Sequence, residues 1–396
     1  MSNADSGFQR SYISLKVNGN ESGLSPMNFS ITEFDSIYQF YPKVKMGVSD
    51  YEGLLNEYMA FVDGTEIEIT MGRTEEESKK CKFIVAKNAV PQQKTSNGTG
   101  GDFEISLIHS YFYSQYKKSN AYQSNISDIV SSLVKNYKFD KIDIETTYNS
   151  GFWYQPYIND SEFIVDIMLP FAYSNSAQNT PFYAFINSNN EFNFKSFYRM
   201  YNSTPIKDMN YGNFSTDIVA DDKTISSINF SQLELSKLKP FFNCNYYNYD
   251  SNGKIIEKED SLLDYAKIQG NYPIIGNSSN TTDTHSIYDD DIKADDTKNN
   301  NKGYIINLHN EVVLPDKIII NTVLDKNLVC GNTINVSLPM PSADINEKSL
   351  RNSGKYLIES SYHIWNAQSS RTILICSKQN LKLAENYRNK NMLFKK

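Results

Sequence analysis

Apolar and polar residues alternate along most of the first hundred positions, the spacing of strands that bury one face. The stretch YISLKVNG (12–19) alternates and ends in Asn-Gly, the pair that most favours a tight hairpin turn. FSITEFDSIYQF (29–40), EIEITMG (66–72), CKFIVAKNAV (81–90) and FEISLIHSYF (103–112) follow, with the glycine-rich NGTGG (97–101) as a turn before the last of them. Short strands punctuated by turns predict a small barrel or sandwich.

The period then changes. SNISDIVSSLVKNY (124–137) opens with capping-type residues and sets Ile126, Ile129, Val130, Leu133 and Val134 on one helical face. A second helix is expected in NDSEFIVDIMLPFAYS (159–174), with Asp160 as N-cap. Phe163, Ile164, Ile167 and Met168 make its apolar face, and Pro170 ends or kinks it. PFYAFINSNNEFNFKSFY (181–198) reads as a hairpin around a Ser-Asn-Asn turn. Alternation returns in TISSINFSQLEL (224–235), in PFFNCNYYNYDSNGKIIEK (240–258) with its DSNG turn, in DKIIINTVLD (316–325) and in TINVSLPM (333–340). It ends in a hairpin, GKYLIESSYHIWNAQSSRTILICS (354–377). The polar stretch 276–303 has almost no apolar content and reads as a mobile insertion or surface excursion. LAENYRNKNMLFKK (383–396) reads as a short helix or basic tail. Two β units thus bracket an α+β block. The expected divisions are 1–115, 116–212 and 213–385, the last carrying the polar insertion, with a tail at 386–396.

A chain of 396 residues suits two or three domains, and 39% hydrophobic content with 28 Tyr and 22 Phe favours strands and large interfaces. A net charge of −7 leaves no basic footprint for nucleic acid. Cys81, Cys244, Cys330 and Cys376 form no CxxC or Cys/His cluster and read as reduced, mostly buried thiols. The N-terminus lacks an apolar signal core, and no apolar run approaches the roughly 18 residues that span a bilayer. A soluble chain made in the cytoplasm, with no membrane insertion, is expected.

His363 is the most conspicuous candidate for chemistry. In 356–365 strict alternation puts Tyr356, Ile358, Ser360, Tyr362 and Ile364 on one face, and Leu357, Glu359, Ser361, His363 and Trp365 on the other. Glu359 and His363 then lie roughly 13 Å apart, at about 3.3 Å per residue, too far for a direct hydrogen bond. A structural histidine is the better reading. His109, His285 and His309 have no partner at metal-ligand spacing, and HExxH is absent. The run Asp289, Asp290, Asp291, Asp295, Asp296 lacks the glycine and spaced oxygens of a calcium loop and reads as solvated charge. GxSxG, P-loop and GxGxxG patterns are absent, and GTGG (98–101) is a turn between strands. Paired carboxylates of a glycosidase stay open among 46 acidic residues. No catalytic, cofactor-binding or metal residue is singled out, and no cofactor is expected.

The order of segments carries more than any one motif. LPDKIIINTVLDKNLVCGNTINVSLPMP (314–341), followed by GKYLIESSYHIWN and RTILICSK, resembles the last barrel of the central hub subunit of contractile phage tail baseplates. That fold is shared with late control protein D and the hub part of type VI secretion spike proteins. YINDSEFIVDIMLPFAYS with the hairpin after it is similar to the family's element between the barrels, and 35–73, including DGTEIEI, resembles its first barrel. The resemblance implies a mainly β protein with α+β elements, in which two similar small β-barrels bracket a helix-plus-hairpin block. It further implies a structural virion protein of the tail baseplate, not an enzyme. Three copies would form a pseudo-sixfold ring between a threefold spike and the sixfold tail tube, with baseplate wedge proteins as further neighbours. DNA would pass through the lumen without specific binding. Candidate interface residues are Tyr38, Phe40, Tyr41, Ile318 and Ile320 for the ring, and Phe241, Phe242, Tyr246 and Tyr247 for a partner. The few residues after the last strand imply a spike on a separate chain. Rival readings are the hub of a type VI or extracellular contractile injection system, and a carbohydrate-binding or hydrolysing tail protein.

Overall fold

A computed structural model describes residues 12–21, 29–50, 61–72, 75, 78–94, 101–110, 116–148, 150–172, 174, 181–211, 223–230, 243–249, 255–261, 282–284, 316–339, 352–366 and 370–378. The first unit is a curled antiparallel sheet. Its strands are β1 (Tyr12–Val17), β2 (Asn20–Glu21), β3 (Phe29–Ser36), β4 (Lys43–Asp50), β5 (Glu66–Gly72), β6 (Lys79–Lys94) and β7 (Gly101–His109), in the order β3-β4-β7-β6-β5-β1-β2. The expected Asn-Gly turn joins β1 to β2, with Asn18 and Gly19 both at positive φ. Alternate residues point inward: Ile13 and Leu15, Ile31, Val44 and Met46, Ile67 and Ile69, Phe83, Ile105 and Leu107 share one buried cluster. The two ends of the sheet therefore meet across a common core.

The middle block follows. β8 (Lys118–Asn125) and β10 (Ser150–Ile158) form a two-stranded ribbon, and β9 (Lys141–Ile144) joins a sheet of order β11-β12-β9 with β11 (Phe182–Ile186) and β12 (Glu191–Ser196). Helix α1 (Ile126–Val134) buries all five residues of its expected apolar face. It starts at Asn125, whose side chain makes no cap; Thr147 Oγ1 instead accepts from the Ser127 N–H at 2.9 Å.

Helix α2 opens at Asp160–Glu162, continues as a π turn Phe163–Met168 and closes as a 3-10 turn Leu169–Phe171 that contains Pro170. Its cap is Asn159, not Asp160: the Asn159 side chain accepts from the Glu162 N–H, and Glu162 reaches back to the Asn159 N–H. Asp160 is buried and serves the fold instead, accepting from Lys118 (2.7 Å), Tyr137 (2.9 Å) and Gln155 (3.1 Å). β11 is buried on both faces. Phe182, Ala184 and Ile186 pack against α1 and α2, while Tyr183 and Phe185 face a smaller cluster with Ile37, Cys330 and Leu357. A short helix α3 (Phe197–Tyr201) follows.

The last unit closes on itself. β13 (Lys207–Tyr211), β14 (Thr224–Phe230), β18 (Asp316–Val323), β21 (Arg371–Lys378), β20 (Gly354–Asn366) and β19 (Thr333–Ser337) pair in that order, and β19 pairs back to β20 through four residues and to β13 in parallel. This is a six-stranded barrel. Beside it β15 (Asn243–Tyr249), β16 (Ile255–Ser261) and β17 (Thr282–Thr284) form a separate three-stranded sheet. Three residues of the polar stretch thus form a strand, contrary to the expectation of a mere excursion; the rest of 276–303, with the aspartate run, lies outside the described residues.

β20 belongs to both units. Its first half lines the barrel with Tyr356 and Ile358, and its second half pairs with β3 from Ser360 to Asn366, sending Trp365 into the first core. A bulge between Ile358 and Ser360 makes the switch. The strict alternation expected across 356–365 therefore breaks at Glu359.

Candidate functional site

The bulge sits at the meeting point of all three units, where a strand core would be apolar and this one is polar. Glu33 and Asp35 on β3 lie opposite His363 and Ser361 on β20, Thr372 of β21 stands beside His363, and Ser36 accepts from the Ser360 hydroxyl at 2.8 Å; all are buried. Asp35 is the centre. Its carboxylate accepts from the Ser361 hydroxyl, from the Ser188 N–H at 2.8 Å and from the Cys330 N–H at 3.4 Å. It therefore ties the first unit to β20, to the β11–β12 turn and to the loop between β18 and β19. Burial raises its pKa, and the Ser361 and Ser188 hydrogen bonds oppose the rise.

Three ion pairs surround this centre. Lys326 pairs with Glu33 and lies 5.7 Å over the Trp365 ring, Lys317 pairs with Glu359 at 2.7 Å, and Lys207 pairs with Asp325 at 2.6 Å. Each links a different pair of strands or loops and answers the charge of Glu33, Glu359 and Asp325, while Asp35 is held by neutral donors alone.

His363 lies inside the same network. Thr372 Oγ1 accepts from the Asp325 N–H at 2.9 Å and lies 3.2 Å from His363 Nδ1, while His363 Nε2 lies 3.3 Å from Ser361 Oγ. With the proton on Nε2, one direction of donation satisfies the whole chain: Thr372 to Nδ1, Nε2 to Ser361, Ser361 to Asp35. The serine's proton is thus given to the aspartate, and the histidine donates to the serine instead of activating it. A nucleophile needs the opposite arrangement. Burial, with Lys326 adding to it, holds His363 well below its usual pKa, so it is neutral near pH 7. The site is a clamp, and its chemistry is hydrogen bonding.

Gly331 completes the junction. Its φ of +83° lies in the left-handed region, and a Cβ there would stand 2.4 Å from the Phe185 ring. Its N–H donates to the Ile358 carbonyl at 2.9 Å, and the Ile358 N–H donates to Asn332 at 2.9 Å.

Next to this junction a cleft of about 720 Å³ is lined by Asp143, Glu145, Lys195, Tyr198, Arg199 and Gly331 among others. Burial pushes Asp143 up, but Lys195, with Arg199 beside it, outweighs burial and leaves the carboxyl below its usual range. Both cations lie 2.7 Å from it, so the cleft's charges answer one another. Among the described residues no group of three His, Cys, Asp or Glu stands where it would hold a metal ion, and no helix is long and apolar enough to cross a membrane.

The interface candidates separate. Ile318 and Ile320 point into the second barrel and are sealed at 2% and 0% exposure, so their side chains fill the core and do not face a ring neighbour. Phe40 and Tyr41 pack on the middle core, Phe40 lying 6.0 Å from Phe192. Tyr38 is exposed, edge-on to Tyr183 at 5.9 Å. Phe241 and Phe242 lie outside the described residues, as do the side chains of Tyr246 and Tyr247. Cys330 and Cys376 are buried free thiols, and Cys81 is partly buried. The residues that sequence reasoning missed are Phe152, Tyr154 and Tyr157 of the ribbon, all strongly exposed.

With this geometry in place, the chain matches solved structures over nearly its whole length. A tail protein from Neisseria meningitidis MC58 superposes with a TM-score of 0.56 at 8% identity, covering 94% of this chain and 98% of that one. The 43 kDa tail protein of prophage MuSo2 from Shewanella oneidensis does so with a TM-score of 0.55 at 8% identity, covering 94% and 99%. The fold is that of these two tail proteins. No protein-family model matches the sequence, and the search of curated proteins finds no match.

Proposed function

We propose that the chain is a structural tail protein, the central hub subunit of a contractile baseplate, in which three copies form a ring that joins a threefold spike to a sixfold tube. The observation that carries this reading is the architecture: a seven-stranded and a six-stranded β unit joined through one strand, with the middle block packed at their junction. Three such subunits offer six similar β modules, which answers the change from threefold to sixfold symmetry. The matched tail proteins have the same fold along the same length of chain, which supports a role in the tail. In this reading the chain divides near 115 and 212, the spike and wedge proteins dock on the ring, and DNA passes through a lumen that offers it few cations, since phosphate contacts dominate DNA affinity.

The buried junction fits a rigid connector better than an enzyme. Asp35, Ser361, His363 and Thr372 are bonded to one another in a buried chain with no open face. The experiment is sedimentation equilibrium of the purified chain. A particle of three chains of 45.3 kDa, about 136 kDa together, is expected. A monomer at every concentration overturns the claim that the chain forms the ring by itself.

A further inference from the structure

The β8–β10 ribbon has one face packed and one face bare. On the packed face Trp153 lies 5.7 Å from Phe171, and Tyr122 stacks on Phe163 at 5.5 Å. Gln155, fully buried, donates to the Ile158 carbonyl and to Asp160 and accepts from the Tyr122 hydroxyl at 3.1 Å. These contacts hold the ribbon rigid from below. On the other face Phe152 is 74% exposed and Tyr154 60%, two positions apart on β10 and so side by side. Tyr157 is 67% exposed and sits in a bulge at a φ of +53°, a left-handed conformation that costs a bulky residue about 1 kcal/mol or more. The fold spends strain to turn a third ring outward.

We propose that this aromatic face is a contact between copies of the chain. The proposal rests on the hub reading above and names one of the surfaces that hold its ring together. Charge decides the occupant. The chain carries −7, so two copies repel each other on average as they approach. The outward side of the ribbon carries no ionisable acid or base: Phe152, Tyr154 and Pro156 lie opposite Gln123, Ala121 and Ser119. The ribbon's one cation, Lys118, is turned to Asp160. A face that recruits an oppositely charged partner carries charge, whereas a neutral aromatic face lets like-charged copies meet without that penalty. In a threefold ring the contact is head to tail, so the ribbon meets another apolar surface of the next copy. Three rings cover less than the roughly 800 Å² per partner of a stable interface, so they are its anchor and not its whole extent. A rigid ribbon loses little freedom on docking, which favours such an anchor.

The test is Phe152→Ser combined with Tyr154→Ser, measured by sedimentation velocity over a range of concentrations. Among the described residues neither ring joins a core cluster, so the circular dichroism and melting temperature of the variant match the parent. The concentration at which half the chains are trimeric rises at least about tenfold. Phe230→Ser, which removes a ring 51% exposed on the last unit, leaves assembly unchanged. A double variant that assembles like the parent overturns the proposal alone and leaves the hub reading standing. An equal effect of Phe230→Ser overturns it too, because the loss is then not specific to the ribbon. A parent that never forms trimers overturns the proposal together with the claim that the chain forms the ring by itself. A benzophenone amino acid in place of Tyr154 supplies the positive result: cross-linking to a second copy supports the proposal, and cross-linking only to a separately added tail protein overturns it.

Discussion

Asp35 accepts hydrogen bonds from a neighbouring strand, a hairpin turn and a loop, and so fixes three parts of the chain at one point. Asp35→Ala leaves three buried donors without acceptors, at about 1–3 kcal/mol each. A loss of about 3 kcal/mol or more is expected, read as a fall in denaturant midpoint; a loss under about 1 kcal/mol means the clamp contributes little. His363 sets the acid side of stability. Its folded pKa is depressed by burial, so the unfolded chain binds a proton that the folded chain refuses, and stability falls as pH drops below the ordinary value of about 6.5. Asp35 acts in the other sense: its raised pKa makes the folded chain hold its proton more tightly, and that contribution is lost as pH rises through the raised value. His363→Asn is therefore expected to flatten the decline in melting temperature between about pH 6.5 and 5. An unchanged slope would place the titration elsewhere. The structural role of His363 was legible from strand spacing. The role of Asp35 was not, because its partners lie 153, 295 and 326 positions away and no local pattern joins them.

At the scale of elements, Asn159 shows how one side chain sets a helix start. Asn159→Ala removes the side-chain half of the reciprocal cap, and a cost of about 1 kcal/mol is expected, with faster hydrogen exchange confined to the first turn of α2. Equal loss from Asp160→Ala through this turn would argue for the cap assignment made on sequence grounds. Two neighbouring residues, each a good cap by type, were distinguishable only once Asp160 was found bonded to Lys118, Tyr137 and Gln155. Other elements had clear signals. The α1 face matched its period, and β4 was legible in the alternation of Val44, Met46 and Val48, though it went unread. β8 and β10 had little to read: β8 is nearly all polar, and Pro156 within β10 argues against a strand. Ile318 and Ile320 were legible as strand residues, but periodicity does not say which side of a barrel is inside.

At the scale of the molecule, closure was the part that sequence pattern does not carry. The pairings that make a barrel of the last unit and join it to the first, β13 with β19 and β20 with β3, connect residues far apart along the chain. Because β20 is common to both, neither unit can lose its sheet without exposing an edge of the other. Calorimetry of the monomeric chain is expected to show these two units melting in a single transition, and two well-separated peaks would refute that coupling. The shared strand also fixes how the molecule answers a pull. A load along β20 is borne in shear by rows of backbone hydrogen bonds on both of its sides, which must yield together, whereas a hinge between separate modules would peel open one bond at a time. Thrust delivered to one β unit therefore reaches the other without a soft joint between them.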